Sequence, residues 1–411
     1  MPKPTHVEHV EMRGHIVDSL LLPKVLDAIL SRGGRYHIDS LTLGQKQDDP
    51  SHARIEVRAD TAAKLDAILA DIHPHGAVPA NPADAVTAAA DKVGCFPDGF
   101  YCSTNFRTEV RLGGDWTEVR DQEMDCGIVI DGTTARCVPM TKVSVGDRVL
   151  VGRAGTRVFP PEGETRRHEL FEFMASPVSS ERPKAVSVRE IAKAMRKCKA
   201  DGQKVLAVLG PAVVHTGGGE LVAKMVRDGL IDVIFAGNAL ATHDLEQALY
   251  GTSLGVSFDH GLPTDEGHEH HLRSINTVRR LGGVAATVAA GTVTSGIMYE
   301  CVKRGVPTVL CGSIRDDGPL PEVITDALAA QDEMRRHIPG VGFCLMVATT
   351  LHSIAVGNLL PAWVKVACVD ISPATVTKLM DRGSTQTVGI VSDAEPFLRS
   401  LGAELEKTGP I

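Results

Sequence analysis

Apolar and polar positions change rhythm twice along the chain, and each rhythm predicts a different architecture. In the first hundred residues, VEMRGHI around Met12 reads as a strand. PKVLDAILSRGG then places Val25, Leu26, Ile29 and Leu30 at helical spacing, with Gly33 and Gly34 as the stop. Tyr36 to Leu43 alternate apolar and polar side chains, the turn-rich QKQDDPS intervenes, and ARIEVRA alternates again. Ala62, Leu65, Ile68, Leu69 and Ile72 mark one face of a second helix. Strand, helix, strand, strand, helix is the order of a ferredoxin-like module. The Pro- and Ala-rich HPHGAVPANPADA reads as its closing linker, so this α+β module is assigned to residues 1–90.

From Cys95 to Gly155 the helical period vanishes. FYCSTNFRTEVRL, WTEVR, CGIVIDG, ARCVPM and VGDRVLVG are short strand-like runs separated by Gly-Gly or Asp-Gly turns. They predict a small β-rich domain over 91–183, from which the polar GTRVFPPEGETRRHE leads away. Beyond Lys184 the rhythm changes again. VLAVLG, DVIFAGN, PTVLCGS, CLMVATT, KVACVD and VGIVSD are continuous apolar runs, each followed by a loop and an amphipathic helix. Unbroken Val/Ile/Leu runs belong to strands buried on both faces, so 184–411 is read as a parallel α/β sheet covered by helices.

Composition changes this picture little. A chain of 411 residues has room for two or three domains of roughly 150 residues each. With 43 Lys and Arg against 51 Asp and Glu, it carries no basic stripe of the kind nucleic-acid phosphates require. The nine cysteines include no CxxC pair, and Cys301, Cys311, Cys344 and Cys368 lie in apolar runs; free thiols in a reducing compartment are expected. The N-terminus MPKPTHVEHVEMRG has no apolar signal core. The uncharged stretch Val341 to Val364 is long enough to span a bilayer, but with His352, Asn358 and Pro361 inside it reads as a buried strand followed by a helix. A cytoplasmic protein without membrane or nucleic-acid partners is the expectation.

Parallel α/β sheets bind ligands beyond the carboxyl ends of their strands, which selects candidate residues directly. They are His215, Thr216 and Gly217–Gly219 after the first run, and Asn238, Ala239, His243 and Asp244 after the second. Ser313, Arg315, Asp316 and Asp317 follow the third, and Thr349, Thr350 and His352 the fourth. Asp370 ends the fifth, and Asp393 with Ala394 the sixth. The three glycines either cradle a phosphate or let a tight turn meet a helix; they do not form GxGxxG. Asp370 either bonds ribose hydroxyls or caps the helix that follows Ser372 and Pro373. GHEHH brings His268, His270 and His271 together, but without HExxH spacing; substrate contact or a charged interface is favoured over metal, and no metal is assigned.

Longer strings carry a resemblance. RTEVRL, WTEVRDQEMDCGIVI, GNALATHDLE, GTSLG, GHEHH, SGIMYECVK, SIRDDGPLPEVITDA, TTLHSIAVGN and VDISPATVTKLMDRGS together resemble the archaeal-type ornithine cyclodeaminases. That family shares the lysine-ketoglutarate-reductase/saccharopine-dehydrogenase conserved domain and forms the C-terminal half of a cyanobacterial bifunctional arginine dihydrolase/ornithine cyclodeaminase. The resemblance implies a Rossmann-like, deoxyhypusine-synthase-like NAD-binding C-terminal domain and the conversion of L-ornithine to L-proline and ammonia. It implies NAD contacts at Asn238, Ala239, Asp317, Thr349, Thr350, Leu351, His352, Asp370, Asp393 and Ala394. In the implied chemistry NAD takes hydride from Cα, the δ-amine closes on the imine, ammonia leaves and the hydride returns. Asp316, Asp317 and His352 are the candidate acid–base groups. Arg315 is the candidate clamp on the substrate carboxylate, with Arg107 and Arg111 closing from the β-rich segment. A homo-oligomer acting on a small amino acid is expected. An amino-acid dehydrogenase of the lysine/saccharopine type and a non-catalytic NAD or amino-acid sensor are the alternatives.

Overall fold

The structure is a computed structural model describing residues 6–17, 20–44, 49–160, 184–257, 270–316, 318–382 and 387–407. The chain forms two compact units, the first Met1–Ala175 with Leu360–Trp363, the second Ser176–Leu359 with Val364–Ile411. Within the first unit, β1 (His6–Gly14), α1 (Leu21–Ser31), β2 (Arg35–Thr42), β3 (Ser51–Ala59), α2 (Ala62–Ile72) and β4 (Val78–Pro79) make the ferredoxin-like module. Its antiparallel sheet has the order β2-β3-β1-β4. Every second residue of β3 is buried, and Ile55 and Val57 pack with Val10, Met12, Val25, Ile29, Ile68 and Ile72. Each such fully buried side chain contributes about 1.5–3 kcal/mol. The alternation in β2 buries almost nothing, because this edge strand leaves Tyr36 and Leu41 exposed. The turn at 45–48 lies outside the described residues.

Three strands escape the sequence reading. β4 lies inside the Pro-rich linker and completes the module as its fourth strand. β5 (Val86–Ala89), assigned by sequence to the first module, pairs instead with the second sheet. β11 (Thr156–Phe159) lies in the segment read as a polar exit, whose continuation at 161–169 is outside the described residues. Between them run β6 (Arg107–Leu112), β7 (Asp115–Arg120), β8 (Gly127–Asp131), β9 (Thr134–Val138) and β10 (Arg148–Val151). The seven strands follow the order β11-β6-β7-β9-β8-β10-β5. All three missed strands are four residues or shorter, too short for a period to register.

In the second unit the six apolar runs are β12 (Lys204–Leu209), β13 (Val233–Gly237), β16 (Thr308–Cys311), β17 (Val341–Val347), β18 (Lys365–Asp370) and β19 (Thr387–Val391); the numbers β14 (Thr252–Ser253) and β15 (Val256–Ser257) go to a small hairpin. The six form one parallel sheet ordered β16-β13-β12-β17-β18-β19. In order of sequence this is 3-2-1-4-5-6, the Rossmann arrangement. Alternate residues of β12 explain the unbroken run. Val205, Ala207 and Leu209 join one core, while Leu206 and Val208 are equally buried outside it. The helices are α3 (Lys184–Ala200), α4 (Ala212–His215), α5 (Gly219–Arg227), α6 (Asn238–Tyr250), α7 (His270–Leu281), α8 (Val284–Ala289), α9 (Ile297–Arg304), α10 (Ala327–His337), α11 (Leu351–Leu359), α12 (Pro373–Arg382) and α13 (Ala394–Glu406). The stretch from Val341 thus folds as strand β17 and helix α11, and no helix among the described residues is long and apolar enough to cross a membrane.

Candidate active site

The strand order reverses between β12 and β17, and a ligand crevice opens beyond the carboxyl ends at such a switch point. Backbone meets backbone closely there. Gly210 donates its N–H to the Val347 carbonyl at 2.9 Å, and a Cβ on Gly210 would sit 1.8 Å from the Ala348 oxygen. Ala348 itself adopts φ +54° while its N–H bonds the Val369 carbonyl at 2.9 Å. A non-glycine residue in the left-handed region marks a turn the surroundings enforce. This turn aims Thr349 and Thr350 into the start of α11, whose first-turn N–H groups have no intrahelical acceptor and favour an anion.

Several candidates from different loops meet at this edge. The His352 ring lies against Gly237, where a Cβ would be 3.2 Å from Cε1, and burial lowers the pKa of this imidazole. Asn238 is buried at the start of α6 and accepts from the Leu320 N–H at 3.0 Å, tying the loop after β16 to this helix; Ala239 follows it. Thr350 and Thr375 share a hydroxyl contact of 3.2 Å. Asp370 accepts the Ser372 N–H at 2.8 Å, so one carboxylate oxygen caps the turn before α12. Asp393 stands at the N-cap of α13, where its side chain makes no capping bond, and Ala394 is buried behind it. In the loop after β16, Asp316 accepts the Ser313 N–H at 2.7 Å and Arg315 is exposed. Asp317 lies outside the described residues.

Three large apolar side chains stand in the open at this edge, one shortly after each of three strands. Ile314 follows β16, Leu351 follows β17 and Ile371 follows β18, at 107%, 81% and 72% exposure. Only Leu351 was among the sequence candidates; the signal for the others is an apolar residue set among strand-end polar ones. Beside Asp370 and the start of α11, such surfaces fit a ligand with flat apolar rings, hydroxyls and phosphates.

Other candidates take structural roles. The N–H groups of Gly217 and Gly218 bond the Val214 and Val213 carbonyls, and a Cβ on Gly218 would lie 2.9 Å from Leu398. Here the glycines serve the turn-to-helix packing. Asp244 is fully buried and accepts the Ile297 and Met298 N–H groups, both at 2.8 Å, capping α9 from a distance. In the first unit, Arg107 bonds Glu109 at 2.5 Å and lies over Phe159, while Arg111 bonds Asp84 at 2.8 Å. Both guanidiniums already have carboxylate partners. From GHEHH, His270 bonds Thr252 at 2.8 Å and stacks on Tyr250; His268 is outside the described residues, among which no three side chains converge as metal ligands.

Known proteins give this arrangement its class. Residues 189–401 match the Rossmann-fold C-terminal region of ArgZ-like arginine dihydrolases, 107–188 the first part of that C-terminal region, and 7–106 the conserved region of the LOR/SDH bifunctional enzyme. An ornithine cyclodeaminase from Methanothermobacter thermautotrophicus is 50% identical over 404 residues, covering 98% of both chains. The apo crystal structure of cyanobacterial ArgZ superposes with a TM-score of 0.83 at 38% identity, covering 98% of this chain and 58% of that one. The ternary complex of AgrE, the bifunctional enzyme of Nostoc, with ornithine and NAD+ matches at 40% identity and a TM-score of 0.55, over 99% of this chain and 58% of AgrE. The chain belongs to the family of archaeal ornithine cyclodeaminases and ArgZ-like C-terminal regions. It spans 58% of the cyanobacterial chains and nearly all of the archaeal one.

Proposed function

We propose that the protein is an NAD-dependent ornithine cyclodeaminase, a lyase that converts L-ornithine to L-proline and ammonia in proline biosynthesis. The observation that carries this reading is the 50% identity to an archaeal ornithine cyclodeaminase over nearly the whole chain, combined with the Rossmann strand order of the second unit. NAD, when bound, accepts a hydride from Cα of the substrate and returns it to the cyclic imine, so no cofactor is consumed. The residues proposed to hold it are Asn238, Ala239, Thr349, Thr350, Leu351, His352, Asp370, Asp393 and Ala394, with Asp317 as a further candidate. Asp370 would hold ribose hydroxyls with the carboxylate oxygen that does not cap Ser372, and Leu351 and Ile371 would cover the rings. Asp316, Asp317 and His352 are proposed to move protons, and Arg315 to hold the substrate carboxylate. The proposed setting is the cytoplasm, as an assembly of identical chains.

Incubation with L-ornithine and NAD+ tests the reading. Proline and ammonia in equal amounts, without accumulating NADH, are expected. NADH accumulating without proline would instead fit an amino-acid dehydrogenase, the reading favoured by the LOR/SDH match over 7–106.

A further inference from the structure

Behind the carboxyl ends of β12 and β13 lies a second set of polar side chains that none of the proposed cofactor contacts uses. Glu246 is its anchor. The side chain is fully buried, yet its two oxygens accept from His243 Nδ1 at 2.8 Å, Thr252 Oγ1 at 2.9 Å, Gly255 N at 3.0 Å and Leu254 N at 3.2 Å. Burial alone would push this carboxyl up; these donors outweigh it and bring it below its ordinary value, so it is ionised. The same bonds hold the turn GTSLG, in which Leu254 is forced to φ +51° and stays exposed. Such backbone strain persists where surroundings over-determine it. The turn in turn presents Ser253, whose hydroxyl lies 2.6 Å from His215 Nδ1.

Two imidazoles are thereby oriented from behind. His215 ends the short helix after β12, is half-buried, and meets His243 edge-on with ring centroids 4.5 Å apart. His243 keeps its Nδ1–H toward Glu246, leaving Nε2 as its lone-pair nitrogen. Among the described residues the titratable neighbours are few. His243 and Glu246 face His215, and His271 of α7 faces His243 at 6.4 Å. His270 reaches Glu246 only through Thr252.

The geometry points to His215 as the proton acceptor for the ammonium groups of the amino-acid substrate, with Ser253, His243 and Glu246 as its positioning residues. This rests on the ornithine reading above. An N–H bond of the substrate ammonium breaks and an N–H bond forms at His215 Nε2, giving an imidazolium and a neutral amine. The buried Glu246 carboxylate favours that positive charge through space, while burial and the neighbouring His243 oppose it. The proton returns to the departing nitrogen, so the residues end as they began. Proton transfer to a positioned imidazole contributes typically about 10²–10⁴-fold to such a step.

The test uses the full chain with NAD+ and ornithine. His215→Asn should lower kcat at least a hundredfold, with KM and NAD affinity within about threefold, and should remove one limb of the pH–kcat profile. Glu246→Gln keeps the turn's acceptor but offers His243 a donor; it should move that limb and switch the His243 tautomer in 15N spectra. Ser253→Ala, which removes only the hydroxyl bonded to His215, should shift the limb and cut kcat about tenfold even if Glu246→Gln fails to fold. An unaltered pH profile in His215→Asn, with kcat within threefold, would overturn the proposal. A wild type that makes no proline overturns the ornithine reading instead, and the tautomer switch still decides whether the relay exists.

Discussion

His73 in the first unit and His215 in the second are both held near a pKa of 4 by burial, and their surroundings make them opposites. His73 sits after α2, 5% exposed, with its Nε2 3.3 Å from the Tyr101 hydroxyl and 3.2 Å from that of Thr156. The Arg153 charge lowers it further, and among the described residues no carboxylate bonds it. His215 is half-buried at a strand end and is backed by His243 and an ionised Glu246. The same titration therefore marks a sealed structural imidazole in one place and an oriented acceptor in the other. Depressed basicity alone carries no function; the polar chain behind the ring does.

The largest effect that would break this contrast is removal of the anchor. Glu246→Ala leaves the N–H groups of Leu254 and Gly255, the Thr252 hydroxyl and His243 without their buried acceptor. Removing one partner of a buried, charged hydrogen-bonded set costs about 3–5 kcal/mol, and a loss of that size is expected in urea unfolding of the full chain. A loss under 1 kcal/mol would mean the turn does not depend on Glu246.

The next effect belongs to His73. The unfolded chain takes a proton on this side chain near pH 6.5, whereas the folded one resists until about 4. Stability from this residue is therefore full above 6.5 and falls as the pH drops through the window from 6.5 to 4, by about 3 kcal/mol in order of magnitude. His73→Gln should flatten that part of the stability–pH curve and leave the pH profile of turnover unchanged. Urea midpoints measured between pH 4 and 7 check it. An unchanged slope would mean that His73 is protonated in the folded state.

A smaller effect is expected at the open edge. Ile371 is largely exposed, so Ile371→Ala should leave stability within about 0.5 kcal/mol. If the ring of NAD lies on it, affinity falls about tenfold by calorimetry, the equivalent of ~1.4 kcal/mol. An unchanged affinity would remove Ile371 from the cofactor surface.

How far the sequence reaches differs between these regions for physical reasons. The six strands of the parallel sheet were legible because burial on both faces writes itself as continuous apolar runs, and their polar ends followed from chain order alone. β4, β5 and β11 were not, since two to four residues pairing through backbone groups need no pattern of side chains. The His215–His243–Glu246 chain was half legible. His215 and His243 stand after strands, but Glu246 lies in a helix buried nearly all round, where polar residues follow no face, and Ser253 lies in a turn far along the chain. Asp244 shows the converse, since a carboxylate chosen for its position turned out to cap α9. Three-dimensional partners, not residue type, separated these cases.

The smallest effect concerns Arg111, which sequence reasoning assigned to the substrate. Its guanidinium lies 2.8 Å from Asp84, and the same carboxylate oxygen accepts the Gly114 N–H at 3.1 Å, fixing the turn between β6 and β7. A half-exposed ion pair of this kind contributes about 0.2–1 kcal/mol, and Arg111→Ala should cost no more. Because Asp84 already occupies the fork, KM for ornithine should stay within threefold. The double-mutant cycle with Asp84→Ala sharpens the point. A coupling of the size of an ordinary surface pair, with KM unmoved, places Arg111 in the scaffold of the first unit. A tenfold rise in KM for Arg111→Ala, absent in Asp84→Ala, would instead show that the guanidinium leaves its partner for the substrate carboxylate and restore it as a clamp.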